Sequence, residues 1–216
     1  MAQTAFEGFD PDACGWFARL AENNSKAWFE ANRATHKAGI AGPMQALMDI
    51  AQAQYGGTTK LFRPHRDVRF SKDKSPYNTH QRAAVHGLGP MALYAALDAD
   101  GFFAGAGVYG FQPARLALFR DVVALEDGAV FAARLDAAQD AGCQLTGETL
   151  KTVPRGFDAA HPRAALLRYK SLILGARIGP AAAANAATVE AHARAMWAAA
   201  YPVMAWLYDK MGNRPD

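Results

Sequence analysis

Residues 92–110, ALYAALDADGFFAGAGVYG, decide which fold the chain takes. Two strand-like runs, Ala92–Asp98 and Phe102–Tyr109, flank Asp98-Ala99-Asp100-Gly101, a short connection with glycine where a left-handed residue is wanted. That reads as an antiparallel hairpin. The same stretch holds a literal G-x-G-x-x-G, Gly105 to Gly110. In a dinucleotide-binding protein this motif follows a strand, opens a helix and leads on to a parallel strand. Here Val108 and Tyr109 continue the strand pattern, and the helix that Pro113 opens is followed by another helix. The glycines are therefore read as letting a strand lie close to its neighbour, not as cradling a phosphate.

Upstream of the hairpin, three helices are expected. Asp10 caps the first, Pro11 sits in its first turn, and Trp16, Phe17 and Leu20 follow at helical spacing. Asn23 and Asn24 stop it. One of them, or Ser25, caps the second, which runs through Trp28, Phe29 and Asn32 to about His36. Gly39 and Gly42-Pro43 punctuate. The third carries Met44, Leu47, Met48, Ile50 and Ala51 on its apolar side and ends at Tyr55-Gly56-Gly57. Downstream, Leu116, Leu118, Phe119, Val122 and Val123 mark the helix after Pro113, and Val130, Phe131 and Leu135 mark another after Asp127-Gly128. Residues 143–152 read as a short strand pair. Pro162 starts a short helix, 171–178 reads as a strand, and the Ala-rich tail from Pro180 reads as a helix that Pro202 kinks or splits. Strict βα alternation is missing. The expected class is α+β: a single domain over 1–216, with a mostly antiparallel or mixed sheet and helices at both chain ends.

Composition sets the outer limits. With 216 residues, 51% hydrophobic and 20% charged, the chain can bury a full core and is not a disordered polymer. Cys14 and Cys143 form neither a C-x-x-C nor a zinc spacing, which suits free thiols in a reducing, cytoplasmic setting. The opening MAQTAFEGFDPDA lacks the basic and apolar regions of a signal peptide. The longest near-apolar run, Ala195–Tyr208, contains a proline and falls short of the ~20 residues that span a bilayer. A core helix is the expectation there, and no membrane partner is expected.

The charge is concentrated in one place. Between Lys60 and Arg82 stand seven Lys or Arg and two Asp, a net +5, while the remainder of the chain carries −2. Within it, residues 62–80, FRPHRDVRFSKDKSPYNTH, read as extended. Phe62, Pro64, Arg66, Val68 and Phe70 share one face, and Arg63, His65, Asp67, Arg69 and Ser71 share the other. Pro64 suits an edge strand. Arg66 is the odd member of the apolar face, where a guanidinium needs a carboxylate or a bound anion. Arginine offers a planar fork that matches phosphate or carboxylate, and lysine adds point charge. The candidate anion-binding set is Arg66, Arg69, Ser71, Lys72, Lys74 and Tyr77, supported by Asp67, Asp73 and Arg82. A second cluster, Lys151, Arg155, His161, Arg163, Arg168 and Lys170, either completes that pocket or is a solvated face.

Other chemistries find no pattern here. His65, His80 and His86 with Asp67 and Asp73 lack the i, i+4 pair of a zinc helix, so no metal is expected and no cofactor is implied. There is no G-x-S-x-G, no cysteine placed beside a histidine, and Gly56 to Lys60 do not follow the phosphate-loop order. Three functional readings remain. The first is a site for a phosphorylated or carboxylated small molecule, in its stronger form an enzyme. Arg66 and Arg69 would clamp the anion, and Asp67 or Asp73 would orient the arginines or act as a base. The second is nucleic-acid binding, with Tyr77 or Phe70 stacking on bases. A pI near 8.9 is modest for a dedicated nucleic-acid binder, which makes this the weaker idea. The third is architectural, an internal salt-bridge network with partner binding elsewhere on the surface.

The stretch RPHRDVRFSKDKSPYN resembles the R-x-x-R-D-x-R-F-S-x-D-K-x-P-Y-K signature of the bacterial and fungal DUF2461 family. FARLAENNSKAWFEANR is similar to its L-x-x-N-N-x-x-x-W-F motif, and FFAGAGVYG to its glycine-rich strand. VPRGFDAAHPRAALLRYKSL is similar to its P-[KR]-G-[FY]-[DE]-x-x-H-P segment. Asn78 departs from the signature, which usually has Lys there. The resemblance covers nearly the whole chain. It implies one compact α+β domain and supports taking Arg66, Asp67, Arg69, Ser71, Asp73, Lys74, Pro76 and Tyr77 as one unit, but it implies no activity or ligand.

Overall fold

The computed structural model describes residues 5–88 and 91–212. The first four residues of the segment read for a signal peptide lie outside that range. The protein is α+β, as expected, with a six-stranded antiparallel sheet. The strands are β1 Thr58–Leu61, β2 His80–Leu88, β3 Met91–Asp98, β4 Gly101–Val108, β5 Gln144–Thr146 and β6 Leu172–Ile178. Their order across the sheet is β1-β2-β3-β4-β6-β5. Packing divides the chain into two compact units. Unit 1 is Met1–Val85, Tyr94–Ala104 and Arg177–Arg194; unit 2 is His86–Leu93, Gly105–Ala176 and Ala195–Asp216.

Unit 1 begins with the expected helices. Helix α1, Ala13–Glu22, buries Ala13, Trp16, Phe17 and Leu20. Asp10 is not its cap. Its carboxylate accepts the Asp12 N–H at 2.8 Å, so the helix starts two residues later than the sequence suggested. Ser25 caps α2, Lys26–His36, by accepting the Trp28 N–H. The glycines after α2 do not punctuate. A π turn, Lys37–Ala41, carries α2 straight into α3, Gly42–Tyr55. The cause is Pro43. It has no N–H to give, and its ring crowds the carbonyl one turn back, so a widened turn relieves both problems. Gly42 accordingly donates to Lys37 O, five residues behind. Gly39 serves a close approach, because a Cβ there would stand 2.7 Å from that of Asp10. Helix α3 buries Met44, Ala46, Leu47, Met48 and Ala51 and stops at Gly56, whose φ is +78°.

The stretch read as a hairpin is β3–β4. Its turn sits on Gly101, at φ +118°. Asp98 closes it by accepting the Asp100 N–H at 3.0 Å while holding Arg177 at 2.6 Å.

Unit 2 contains α4 Pro113–Ala124, α5 Gly128–Asp140 and α6 Ala164–Leu167. Phe119, Val123, Phe131 and Leu135 are buried as expected, whereas Val130 is exposed. The G-x-G-x-x-G lies at the end of β4 and just past it, and a Cβ on Gly107 would sit 2.2 Å from Leu172 O. Residues 143–152 do not pair with themselves. Only β5 is a strand there, and its antiparallel partner is β6, with Leu145 opposite Leu174. Gly147, at φ +146°, runs so close to Ser171 O that a Cβ would reach 2.1 Å from it, which steers the segment along β6.

The tail forms α7, Pro180–Ala183, and α8, Ala186–Met211. The break between them is at Asn185, whose side-chain oxygen accepts the N–H and the hydroxyl of Thr188. Pro202 does not split α8. It lies on the exposed face, while Trp197, Ala200, Val203, Met204, Trp206 and Leu207 are buried to either side and hold the helix through the missing bond. Both cysteines are free thiols, and burial raises their pKa values. Among the described residues no helix is long and apolar enough to cross a membrane.

Candidate functional site

The basic stretch joins β1 to β2, and only part of it is extended. Phe62 N–H donates to Arg82 O at 3.0 Å, Asn78 N–H to Pro64 O at 2.7 Å, and Arg66 N–H to Pro76 O at 2.9 Å. His65 and Tyr77 form an isolated antiparallel bridge. This thin ribbon prolongs the β1–β2 edge of the sheet. Past Arg66 it opens into turns over 67–75, so the strand expected through Ser71 is not made. The alternation of half-buried and exposed residues holds from Phe62 to Arg69 and fails at Phe70, which is 97% exposed. Without a strand alongside, nothing covers that face.

The turns are closed by their own charges. Arg66 Nη1 pairs with Asp73. The other oxygen of Asp73 accepts the Ser75 N–H at 2.9 Å and the Ser75 hydroxyl at 2.6 Å. Arg69 pairs with Asp67 at 2.6 Å, and Lys74 Nζ donates to Val68 O at 2.9 Å. The Arg66 guanidinium, then the Ser75 hydroxyl and amide, hold the Asp73 carboxyl far below the usual carboxylate range. Arg69 lowers Asp67 in the same way.

Tyr77 anchors the returning limb. The Asn24 carboxamide grips its backbone twice, Nδ2 donating to Tyr77 O at 2.9 Å and Oδ1 accepting Tyr77 N–H at 3.1 Å. The Tyr77 ring is 2% exposed and stacks on Phe29 at 4.0 Å, 9° from parallel. The early N-N-x-x-x-W-F segment therefore exists, in part, to seat the P-Y of the basic stretch.

Beside these anchors lies a groove of about 390 Å³. It is lined by Ala21, Asn24, Arg66, Asp73, Ser75, Tyr77, Asn78, Thr79 and His80. Of the residues expected to bind an anion, Arg66 and Tyr77 reach this groove, with Asp73 in support. Arg69, Ser71, Lys72, Lys74, Asp67 and Arg82 do not line it. Ser75, not Ser71, supplies the hydroxyl. Arg66 is 27% exposed, and among the described residues its guanidinium makes no hydrogen bond except through Nη1. Burial, then the nearby charges of Arg82 and Arg66, push the His80 pKa down, which favours a neutral ring. Asn24, Ser75, Asn78, Thr79 and His80 were not among the residues expected to bind the anion, although the last four lie in the 62–80 stretch and Asn24 in the N-N-x-x-x-W-F segment.

Four members of the second cluster are engaged elsewhere. Arg163 donates to the carbonyls of Val123 at 2.7 Å, Ala124 at 3.2 Å and Leu125 at 2.7 Å. His161 accepts the Arg163 N–H on Nδ1 at 3.0 Å and donates from Nε2 to Ala124 O at 3.1 Å. Together they satisfy the orphan carbonyls that end α4. Arg168 donates to Leu150 O, and Lys170 pairs with Glu148. None of the six lines the groove. Among the described residues no three His, Cys, Asp or Glu are grouped to hold a metal ion.

Close behind the groove, His36 is 7% exposed between Trp16, at 5.1 Å, and Phe29, at 5.4 Å. Burial lowers its pKa, against a smaller opposing pull from its hydrogen bond with Gln81. A depressed histidine stabilises the fold above its unfolded pKa. Stability falls as pH drops below about 6.5, because the unfolded chain then takes up a proton that the folded ring refuses. His36 and His80 shift in the same direction. Denaturation at pH 7.5, 6 and 5 should show the decline, at most about 1.4 kcal/mol per pH unit for each proton, and His36→Gln should flatten it.

No curated protein and no solved structure matches the chain. A family model described as a conserved hypothetical protein, DUF2461, matches residues 12–206, and the chain belongs to that family.

Proposed function

We propose that the groove beside Arg66 holds a small molecule bearing a carboxylate or phosphate group. The observation that carries this reading is the half-committed guanidinium of Arg66. Asp73 fixes it through Nη1 and leaves its other N–H groups unclaimed in a polar groove. An anion meeting that fork gains charge-assisted hydrogen bonds of fixed geometry. Asn78, Thr79 and His80 line the same groove and offer neutral polar groups to orient the rest of the ligand. The Arg66–Asp73 pair is neutral overall, so affinity here depends on hydrogen-bond geometry more than on net charge. Arg69 takes no part, being 77% exposed and held by Asp67. If the groove is catalytic, Asp73 is a poor base because Arg66 keeps its proton affinity low. A neutral His80 is the better proton acceptor.

A second reading is architectural. The Arg66–Asp73 and Arg69–Asp67 pairs and the Lys74–Val68 contact all brace the loop. One experiment separates the two. Melting is followed for wild type, Arg66→Lys and Arg66→Ala against a panel of carboxylates and phosphorylated metabolites. For a site, some compound stabilises the wild type, by about 2.7 kcal/mol at 100-fold its Kd, and both variants lose that response with little change in their own melting. For architecture alone, Arg66→Ala melts several degrees lower and no compound protects any form.

A further inference from the structure

Phe70 has the most exposed large apolar side chain among the described residues, at 97%. A lone exposed ring needs no explanation in itself. This one stands on a braced and cationic tip. The Arg66–Asp73 pair closes the loop, Arg69 is pinned to Asp67 with its guanidinium 6.0 Å from the Phe70 ring centre, and Lys74 ties back to Val68 O. The ring is thus held out by bonds that do not touch it. Arg63, Lys72 and Lys74 of the same stretch are exposed, and none forms an ion pair among the described residues. Phe70 and these cations lie outside the lining of the groove, and the tip shares with it only the Arg66–Asp73 pair that closes the loop.

We propose that this tip binds single-stranded nucleic acid, with the Phe70 ring stacked on one unpaired base and Arg63, Lys72 and Lys74 meeting phosphates on either side. A single ring with flanking cations suffices for one base, and stacking tolerates any base because each has a π face. A duplex hides those faces. An anionic bilayer is the poorer fit. One ring supplies little apolar surface for the interface, and inserting it would carry the carboxylates of Asp67 and Asp73 toward like-charged headgroups.

The test uses the purified full chain and fluorescence anisotropy of a labelled oligothymidylate, its duplex with oligoadenylate, and phosphatidylserine vesicles as a third probe. At about 50 mM salt the single strand should bind with a Kd of about 1–100 µM, the range of non-specific contacts, and the duplex more weakly. Phe70→Ala should melt like wild type yet weaken the single-strand complex about 5–150-fold, while Phe70→Trp restores it. Lys72→Ala should reduce the slope of log affinity against log salt by about 0.7. The proposal is overturned if the strand does not bind at low salt, if Phe70→Ala binds as tightly as wild type, or if duplex and single strand bind alike. Phe70-dependent retention on the vesicles, with no oligonucleotide binding, overturns it in favour of a membrane surface.

Discussion

Replacing Tyr77 with alanine should cost about 3–5 kcal/mol, the range for truncating a fully buried aromatic side chain. The ring is shielded from water and stacked on Phe29, with the His65 ring 4.9 Å away. Neither neighbour can move in to fill the space without pulling α2 or the ribbon out of place. The loss should also reshape the groove, because Tyr77 is part of its lining and the point where Asn24 grips the returning limb. Urea denaturation of Tyr77→Ala and Tyr77→Leu checks this. Leucine keeps much of the buried volume and should recover part of the loss. Equal stability of both variants with wild type would mean that the stack contributes nothing.

The second large effect is expected at Gly107. Valine there should destabilise the protein by about 3 kcal/mol or more, because its Cβ would have to occupy a point 2.2 Å from Leu172 O, and a backbone atom cannot swing aside as a side chain can. Gly110→Ala is the control. A Cβ at Gly110 meets nothing within 4 Å, and its effect should lie within about 0.5 kcal/mol. A phosphate-binding loop would behave differently. There either substitution would remove nucleotide binding with little change in stability. Thermal melts of the two variants therefore decide between strand packing and cofactor binding for a motif whose letters alone fit both.

Gly107 shows what the sequence can and cannot carry. The hairpin of residues 92–109 was legible because its turn chemistry and its strand periods agree, and the glycine motif lies, as read, where a strand packs closely on its neighbour. Helix boundaries were less legible. Gly39 and Gly42-Pro43 look alike as stops in the sequence, yet Pro43 only widens the turn and Gly39 makes room for Asp10. Pro202 does not split the helix, since buried residues on either side of it outweigh one missing bond. Residues 62–69 carry a true strand alternation, yet a strand also needs a partner, and past Arg66 the ribbon opens and leaves Phe70 bare. The candidate site was half legible. Charge picked out Arg66 and its need for a carboxylate, and Asp73 supplies it. Charge also drew in Arg69, Lys72 and Lys74, whose side chains lie outside the groove lining. Asn24 clamps Tyr77 from 53 positions away, a contact that only the folded chain creates.

The most direct test of the groove is an NMR titration that follows the Arg66 Nε–H resonance, assigned by its loss in Arg66→Lys. Citrate, phosphate and any compound found by melting serve as ligands, with chloride at matched ionic strength as the control. A saturable shift of that resonance, accompanied by the backbone amides of Asn78, Thr79 and His80, is the result expected of a site. An unmoved Arg66 Nε–H, or shifts confined to Arg69, Lys72 and Lys74 that chloride reproduces, would contradict it.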